Sequence, residues 1–241
     1  MSHPVRRPFP EGEGFFETLR TEKGQVAELT RHMRRALTAS KATGIKIPGE
    51  EEVRTAIAKV IEENPHEIGR LRICFNRAGI VITHDEYVDL TEGGYLTFSA
   101  ITSKAIGEQF KIYPYDSHYE VVDEARAHGF DDAMIFNREN NVTETGLSNL
   151  AFLFGETWFT PPITAGILPG TMRSLAIEKC GVLVRNIHIT EVPQANEIYL
   201  LSSLKIAQPV VQVGEMRFEC GPLSQAFGAL MREKVQYFSV V

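Results

Sequence analysis

The sequence predicts an α+β fold with two lobes, and three observations lead to that prediction. Its 241 residues can supply two cores of modest size, since single domains commonly span about 100 to 200 residues. Hydrophobic residues make up 43% of the chain and charged residues 23%, which is ordinary globular usage. Strand and helix patterns alternate in the first half, and short strand patterns crowd together in the second. We therefore expect an α+β lobe over residues 1–104 and a larger, β-barrel-like lobe with helices over residues 105–241.

The first lobe is predicted to open with a β-hairpin over residues 14–29, in which Gly24 supplies the turn. Two amphipathic helices follow at 30–43 and 51–63, because apolar residues recur there at helical spacing and Gly44 fits a C-cap. Strand patterns return at 70–75, 80–83 and 95–101. A short linker is expected near 103–107.

The second lobe is predicted to begin with a strand at 110–115 and a helix at 117–128, which Gly129 ends. Short strands then follow closely, at 132–136, 142–145, 150–154 and 157–160. Strands packed this densely along a chain are typical of a barrel. A helix at 171–180, strands at 182–190, 197–202 and 209–213, and a last helix from 222 complete the prediction.

Composition excludes several classes of partner. The formal charge of −6 and the lack of a long basic run argue against nucleic acid, whose phosphates require clustered Lys and Arg. Cys74, Cys180 and Cys220 are widely spaced and form no CxxC pair, so neither a disulfide framework nor a metal site is expected. No run of 18 apolar residues and no signal core is found. We expect a cytoplasmic protein that acts on a small molecule, away from membranes.

Three features of the second lobe can carry chemistry, although each also has an ordinary interpretation. Lys111 lies near a strand end, where lysines are usually solvated, and Glu144 lies in a hairpin whose residues are often exposed. The segment LPGTMR (168–173) places a glycine before the first turn of a helix. Such a turn presents backbone N–H groups and the positive end of the helix dipole, which together bind phosphate. Its alternative is a plain loop that leads into a helix.

Taken together and in order, these features resemble the fold-type IV pyridoxal-phosphate enzymes, which include branched-chain aminotransferases, D-amino acid aminotransferases and aminodeoxychorismate lyases. The motifs that carry the resemblance are GEGFFETLRT (12–21), HMRRAL (32–37), Lys111 with GFDDAMI (129–135), VTETGLSN (142–149), LPGTMR (168–173) and EIYLLSSLKIAQPV (197–210). They span most of the chain. The resemblance implies pyridoxal 5'-phosphate as cofactor, a two-lobed fold and a homodimer.

Site residues follow from the same resemblance. Lys111 matches the lysine that holds the cofactor and moves the proton at the substrate carbon, and Glu144 matches the acid that pairs with the pyridine nitrogen. Arg35 matches the arginine that binds the cofactor phosphate, although beside Arg31 and Arg34 it also fits a charged helix face. The remaining cofactor residues implied are Thr171 and Met172 through their backbone amides, Ser202 and Ser203 in a second phosphate-binding turn, and Tyr115 at the phenolic oxygen.

The reaction is indicated by smaller signals. FETLR, the eighteen-residue step from Lys111 to Gly129, and GTMR are closer to aminodeoxychorismate lyase than to branched-chain aminotransferase, which has FEGIR and a longer step. The resemblance thus implies a lyase of folate biosynthesis that converts 4-amino-4-deoxychorismate to 4-aminobenzoate and pyruvate. Lys111 would remove the ring proton, and Thr18 would help to protonate the leaving enolpyruvate.

Departures from the family pattern leave the substrate open. The chain begins just before GEGFFETLR, so we expect it to lack the N-terminal strands of many relatives, and FNRAGIVIT (75–83) replaces an arginine-rich glycine loop. Arg77 and Arg72 are candidates for binding substrate carboxylates, or else exposed strand arginines. Phe16 lines the pocket or belongs to the core. The alternatives to the lyase are an aminotransferase acting on branched-chain or D-amino acids, and a non-catalytic binding module.

Overall fold

A computed structural model describes residues 8–90, 92–99 and 110–240 of the chain. The chain divides into two compact units. Unit 1 comprises Met1–Asp89, Phe110–Tyr115 and Gln236–Val241, and unit 2 comprises Leu90–Gln109 and Asp116–Val235. Each unit contains both helices and strands, which confirms the predicted α+β class.

Unit 1 is a sheet covered by two helices. Its helices are α1 (Leu29–Thr43) and α2 (Glu50–Glu63), and its strands are β1 (Gly14–Glu22), β2 (Gln25–Ala27), β3 (Ile68–Asn76), β4 (Gly79–Glu86), β6 (Ile112–Tyr113) and β15 (Tyr237–Phe238). Within the described residues these strands form a six-stranded sheet in the order β15-β2-β1-β3-β4, with β6 paired to β1. Every pairing in it is antiparallel.

The two faces of β1 have different roles. Phe15 and Leu19 point into the core of unit 1, where Val53 and Ile57 of α2 also lie. Since successive strand residues point to opposite faces, Phe16, Thr18 and Arg20 share the other face. The helical spacing of buried residues on α1 and α2 explains why both helices were predictable.

Unit 2 is built on a second sheet. Its strands are β5 (Gly94–Phe98), β7 (Asp132–Phe136), β8 (Val142–Thr145), β9 (Asn149–Phe154), β10 (Thr157–Thr160), β11 (Leu183–Val184), β12 (Glu197–Ser202), β13 (Ile206–Val213) and β14 (Met216–Arg217). Among the described residues they form a curled half-barrel of nine strands in the order β11-β10-β9-β12-β13-β5-β7-β8, with β14 paired to β13. The helices are α3 (Asp116–Ala127), α4 (Thr171–Lys179) and α5 (Pro222–Lys234), with short 3-10 turns at Ile163–Ala165 and Ile189–Gln194.

The strands predicted at 182–190 and 110–115 are reduced to two residues each. The strand predicted at 182–190 is limited to β11, because His188 caps a 3-10 turn whose Glu191 side chain accepts the His188 backbone N–H. The strand predicted at 110–115 is limited to β6, which ends before Pro114, a residue without a backbone N–H to donate.

The units also differ in extent from the predicted domains. Strand β5 belongs to unit 2, because it pairs in parallel with β13 and β7. Strand β6 belongs to unit 1, because it pairs with β1. The predicted linker at 103–107 lies outside the described residues.

Candidate active site

Lys111 comes directly before β6 in unit 1, beside two aromatic rings. Its carbonyl accepts a hydrogen bond from the Phe16 backbone N–H at 2.8 Å, which ties the lysine to β1. The Nζ atom lies 4.7 Å from the ring centroid of Tyr115 and 5.3 Å from that of Phe16. The two rings meet edge to face, with centroids 5.2 Å apart. An ammonium against ring faces is favoured by the ring quadrupole, so the amine has a defined position.

The face of β1 that carries Phe16 continues with Thr18, whose side chain is partly exposed. In the β1–β3 register Phe16 lies opposite Cys74 and Thr18 lies opposite Arg72. Residues directly opposite in an antiparallel pair share a face. The sheet thus brings Thr18, which was predicted to be catalytic, together with Phe16 and Arg72, which were predicted to bind the substrate.

Arg77 is placed elsewhere. It lies in the turn between β3 and β4 and is exposed. Asn76 shapes this turn, since its side-chain oxygen accepts the backbone N–H groups of Ala78 and Gly79. Arg77 is therefore not among the residues on the Phe16 face of the sheet, and its role stays a prediction.

Arg35, predicted to bind the cofactor phosphate, is held on α1 by a carboxylate of β1. Its Nε donates to Glu17 Oε1 at 2.8 Å and its Nη2 to Glu17 Oε2 at 2.5 Å. The Nδ1 atom of His32, one helical turn earlier, lies 2.6 Å from the same Oε2. Burial raises the pKa of Glu17, but the charges and hydrogen bonds of Arg35 and His32 outweigh it and lower the pKa to about 2. The carboxylate is ionised, and it fixes the orientation of the guanidinium.

In unit 2, hydrogen bonds from Asn149 and Leu168 hold Glu144 in place. The Asn149 side-chain amide donates to Glu144 Oε2 at 2.9 Å and to the Leu168 carbonyl at 3.0 Å. The Leu168 N–H in turn donates to both carboxylate oxygens, at 3.3 and 3.2 Å. Glu144 is 9% exposed. These contacts join the strand pair that carries the acid to the loop that leads into α4.

The turn that follows Glu144 is fixed by Asp132. Its Oδ2 accepts the Thr145 hydroxyl at 2.8 Å and the Leu147 N–H at 3.2 Å, and its Oδ1 accepts the Gly146 N–H at 2.9 Å. Asp132 is buried at the start of β7. The acid at 144 therefore lies on a strand end whose backbone is firmly placed.

Two turns that were predicted to hold phosphate meet in unit 2. The Thr171 hydroxyl, at the first residue of α4, lies 2.9 Å from the hydroxyl of Ser203 in the β12–β13 turn. Gly170 precedes the helix, and a Cβ atom there would overlap the Asn149 side-chain oxygen. Met172 has a buried side chain, so its backbone is the part that can bind a ligand. The first amides of a helix are anion-binding groups, and two hydroxyls now lie beside them.

The β12–β13 turn itself is tight. Ser202 pairs with Ile206 across it, and the Ser202 hydroxyl accepts the Lys205 N–H at 3.3 Å. Ile206 has a φ of 59°, which is uncommon for a β-branched residue. Its side chain is 1% exposed, so burial holds the turn in this conformation.

Several residues that shape the site were not predicted from the sequence. Glu17, His32, Asn149 and Asp132 lie within the family motifs, but the resemblance implies no role for them. One signal for Glu17 was available, since a charged residue between two core positions of a strand requires a partner on the same face. Asn149 gave no such signal, because its contact with the loop before α4 depends on tertiary packing.

Similarity to known proteins extends over most of the chain. The family model described as amino-transferase class IV matches residues 14–213. The aminodeoxychorismate lyase of Vibrio harveyi is 26% identical over 228 residues, which cover 85% of this chain and 84% of that protein. Across the described residues, no helix is long and apolar enough to cross a membrane.

Solved structures of other proteins share the fold. A Legionella pneumophila protein provisionally named 4-amino-4-deoxychorismate lyase superposes with a TM-score of 0.86 at 22% identity, covering 92% of this chain and 91% of that one. The PLP-bound form of a hypothetical aminotransferase from Mycobacterium tuberculosis superposes with a TM-score of 0.81 at 19% identity, covering 93% and 89%. The fold-type IV architecture predicted from the motifs is therefore confirmed.

Proposed function

We propose a reaction for this chain, which belongs to the amino-transferase class IV family and is thus a lyase or an aminotransferase. The proposed reaction is the conversion of 4-amino-4-deoxychorismate to 4-aminobenzoate and pyruvate by a pyridoxal-phosphate-dependent lyase. We further propose that it serves folate biosynthesis as a cytoplasmic homodimer. An aminotransferase is the alternative.

The residues present fit the cofactor. Glu144 supplies a buried carboxylate with a fixed position, which suits a protonated pyridine nitrogen. The start of α4 and the hydroxyls of Thr171 and Ser203 supply donors for a phosphate group. Lys111 supplies an amine of defined position, and Tyr115 a phenol beside it. Arg35, oriented by Glu17, is proposed to add a charge to the phosphate site.

Pyridoxal phosphate, when bound, supplies an electron sink for the electrons released as a substrate proton leaves. The proposed task of Lys111 is to take that proton from the ring carbon that bears the amine. The C–O bond to the enolpyruvyl group then breaks and the ring becomes aromatic. The enolpyruvate takes up a proton and becomes pyruvate, so no second substrate is consumed.

The observation that favours the lyase is that one face of β1 has two groups that can donate or accept a proton, the Lys111 amine and the Thr18 hydroxyl. Phe16 contacts the Lys111 amine, and Thr18 lies two residues further along the same face. A transaminase can move one proton back and forth with a single group. A lyase needs a base for the substrate carbon and a donor for the leaving group, and Lys111 and Thr18 fit these two tasks.

The test is to incubate the cofactor-loaded protein with 4-amino-4-deoxychorismate in the absence of any keto acid. We expect 4-aminobenzoate and pyruvate in equal amounts. Lys111→Ala should abolish the reaction, and borohydride reduction should attach the cofactor to the peptide that contains Lys111. Thr18→Val, which keeps the shape but removes the hydroxyl, should lower kcat about 10²-fold or more, the ordinary contribution of a general acid.

Lys59→Ala is the matched control, since Lys59 is 74% exposed on α2 and pairs with Glu63. It should leave kcat and cofactor labelling unchanged. Conversion of the bound cofactor to its amine form by an amino acid, without pyruvate release from aminodeoxychorismate, would establish the aminotransferase instead. A protein that cannot be labelled on Lys111 would be a binding module.

A further inference from the structure

The backbone beside Lys111 is held against β1 by a tyrosine that packs over a glycine. Strand β6 pairs with β1, and in this pairing Tyr113 lies opposite Gly14. Residues opposite each other in an antiparallel pair share a face, so Tyr113 lies on the face of β1 that carries Phe16. A Cβ atom at Gly14 would overlap the Tyr113 hydroxyl and the Phe75 carbonyl. The glycine therefore leaves the space that the tyrosine ring fills.

Phe9 connects the aromatic residue of β6 to that of β1. It stacks on Tyr113, with ring centroids 4.9 Å apart and an angle of 3° between the ring planes. Its centroid also lies 4.8 Å from that of Phe16. Phe9 lies outside residues 14–213, the range that the family model matches, so membership of the family assigns it no role.

These contacts reach Lys111 through the backbone. Lys111 lies two residues before Tyr113, and its carbonyl accepts the Phe16 N–H at 2.8 Å. Its amine lies 5.3 Å from the centroid of the Phe16 ring, which Phe9 also contacts. A lysine side chain is a flexible four-carbon stem, so the position of its amine depends on where the backbone is placed. A shift of β6 against β1 would therefore move the amine.

We propose that Tyr113 and Phe9 are positioning residues, which hold the Lys111 amine where it condenses with the aldehyde of pyridoxal phosphate. The inference rests on the proposed function, in which Lys111 carries the cofactor. Both residues act indirectly, through the pairing of β6 with β1. In the condensation the amine nitrogen forms a C=N bond to the aldehyde carbon and the aldehyde oxygen leaves as water, so no other reactant is required. A displacement of about 1 Å can slow a reaction between positioned groups about 10²-fold.

The test measures how fast the full chain, freed of cofactor, captures pyridoxal phosphate at Lys111. Growth of the yellow absorbance gives the rate, and borohydride reduction with peptide mapping identifies the lysine. Tyr113→Leu, which removes the ring, should slow capture about 10- to 100-fold. Phe9→Leu, which removes the stacking contact, should slow it about 2- to 10-fold. Tyr113→Phe should stay within about twofold of the wild type, because it keeps the ring and loses a long hydrogen bond of 3.4 Å to the Phe75 carbonyl.

A second ligand separates positioning of the amine from general damage to the protein. Pyridoxamine phosphate has no aldehyde, so its affinity reports the phosphate and pyridine sites without any condensation. The three variants should bind it with an affinity within about twofold of the wild type. Tyr237→Leu is the matched control, because Tyr237 also lies on a two-residue strand of the same sheet. It should leave both the capture rate and the affinity unchanged.

The outcomes separate this inference from the proposed reaction. Capture by Tyr113→Leu at the wild-type rate, or equal losses with pyridoxal phosphate and pyridoxamine phosphate, would overturn the inference, even if pyruvate is released from aminodeoxychorismate. Slow capture in Tyr113→Leu and normal capture in Tyr113→Phe, with a wild type that releases no pyruvate, would refute the lyase reaction and leave the inference standing. A wild type labelled at a lysine other than Lys111 would overturn both.

Discussion

Replacing Glu17 by Gln tests the ion pair that links β1 to α1. Glu17 is buried between Arg35 and His32, and its pKa is lowered from 4.5 to about 2. Because a shift of one pKa unit corresponds to about 1.4 kcal/mol, the lowered pKa of Glu17 should stabilise the folded chain by about 3 kcal/mol at pH 7. The variant also leaves the Arg35 charge without its carboxylate, so we expect a loss of about 3 to 5 kcal/mol in the free energy of unfolding at pH 7.

The pH dependence has a definite sign. The folded-state pKa of Glu17 is lower than its ordinary value, so its contribution is complete above pH 4.5 and is lost as the pH falls toward 2. The difference in stability between wild type and Glu17→Gln should therefore narrow between pH 7 and pH 3, where about half of the contribution should be gone.

Urea unfolding at several pH values measures this difference. Circular dichroism reports both units, whereas the fluorescence of Trp158, the single tryptophan, reports unit 2. Glu50→Gln is the control, because Glu50 is 62% exposed and its pair with Arg54 should contribute less than about 1 kcal/mol. A wild-type-to-variant difference that stays constant from pH 7 to pH 3 would refute the assigned ion pair.

Three further predictions concern single residues. Gly170→Ala should reduce cofactor affinity about tenfold or more, measured by spectral titration, because the new Cβ would overlap the side-chain oxygen of Asn149. Gly49→Ala is the control, since the space around Gly49 is open, and it should leave the affinity unchanged. Burial lowers the pKa of His84 from 6.5, so its neutral form is favoured and the free energy of unfolding should fall as the pH drops below 6.5. His84→Gln should weaken this pH dependence. Urea unfolding at several pH values measures it, and the same pH dependence in both proteins would contradict the prediction. Ile206→Gly should destabilise the fold by about 1 to 2 kcal/mol less than Ile198→Gly, because glycine is favoured at the positive φ of residue 206. Both isoleucine side chains are 1% exposed, so the two variants lose similar burial. Equal losses in the free energy of unfolding would show that the backbone at Ile206 is not strained.

Much of the fold could be predicted because local patterns agree with tertiary packing. The buried residues Val53, Ile57 and Ile61 recur four residues apart, so α2 was predicted within one residue. The same approach failed at 182–190, where Leu183 and Val184 are exposed and the chain leaves the sheet after two residues. Strand length there depends on the cap at His188, which β propensity does not include.

The candidate site was predictable in a different way. Lys111 and Glu144 were identified through motif order, since neither residue type carries a signal of its own in this chain. The contacts that fix their positions join residues that are distant in the sequence. Asn149 reaches Glu144 and a loop 19 residues away in sequence, and Arg72 is defined by rings at positions 9 and 16. Such contacts become visible once the register of the strands is known.

That register connects stability with chemistry in unit 1. A slip of one residue in β1 would turn Glu17 toward the face of Thr18 and move Phe16 into the core, because strand side chains alternate with a period of two. The contacts of Glu17 with Arg35 and His32 oppose such a slip, since an ionised carboxylate without them would be costly to bury. The buried ion pair on one face of β1 therefore holds Phe16 and Thr18 on the other.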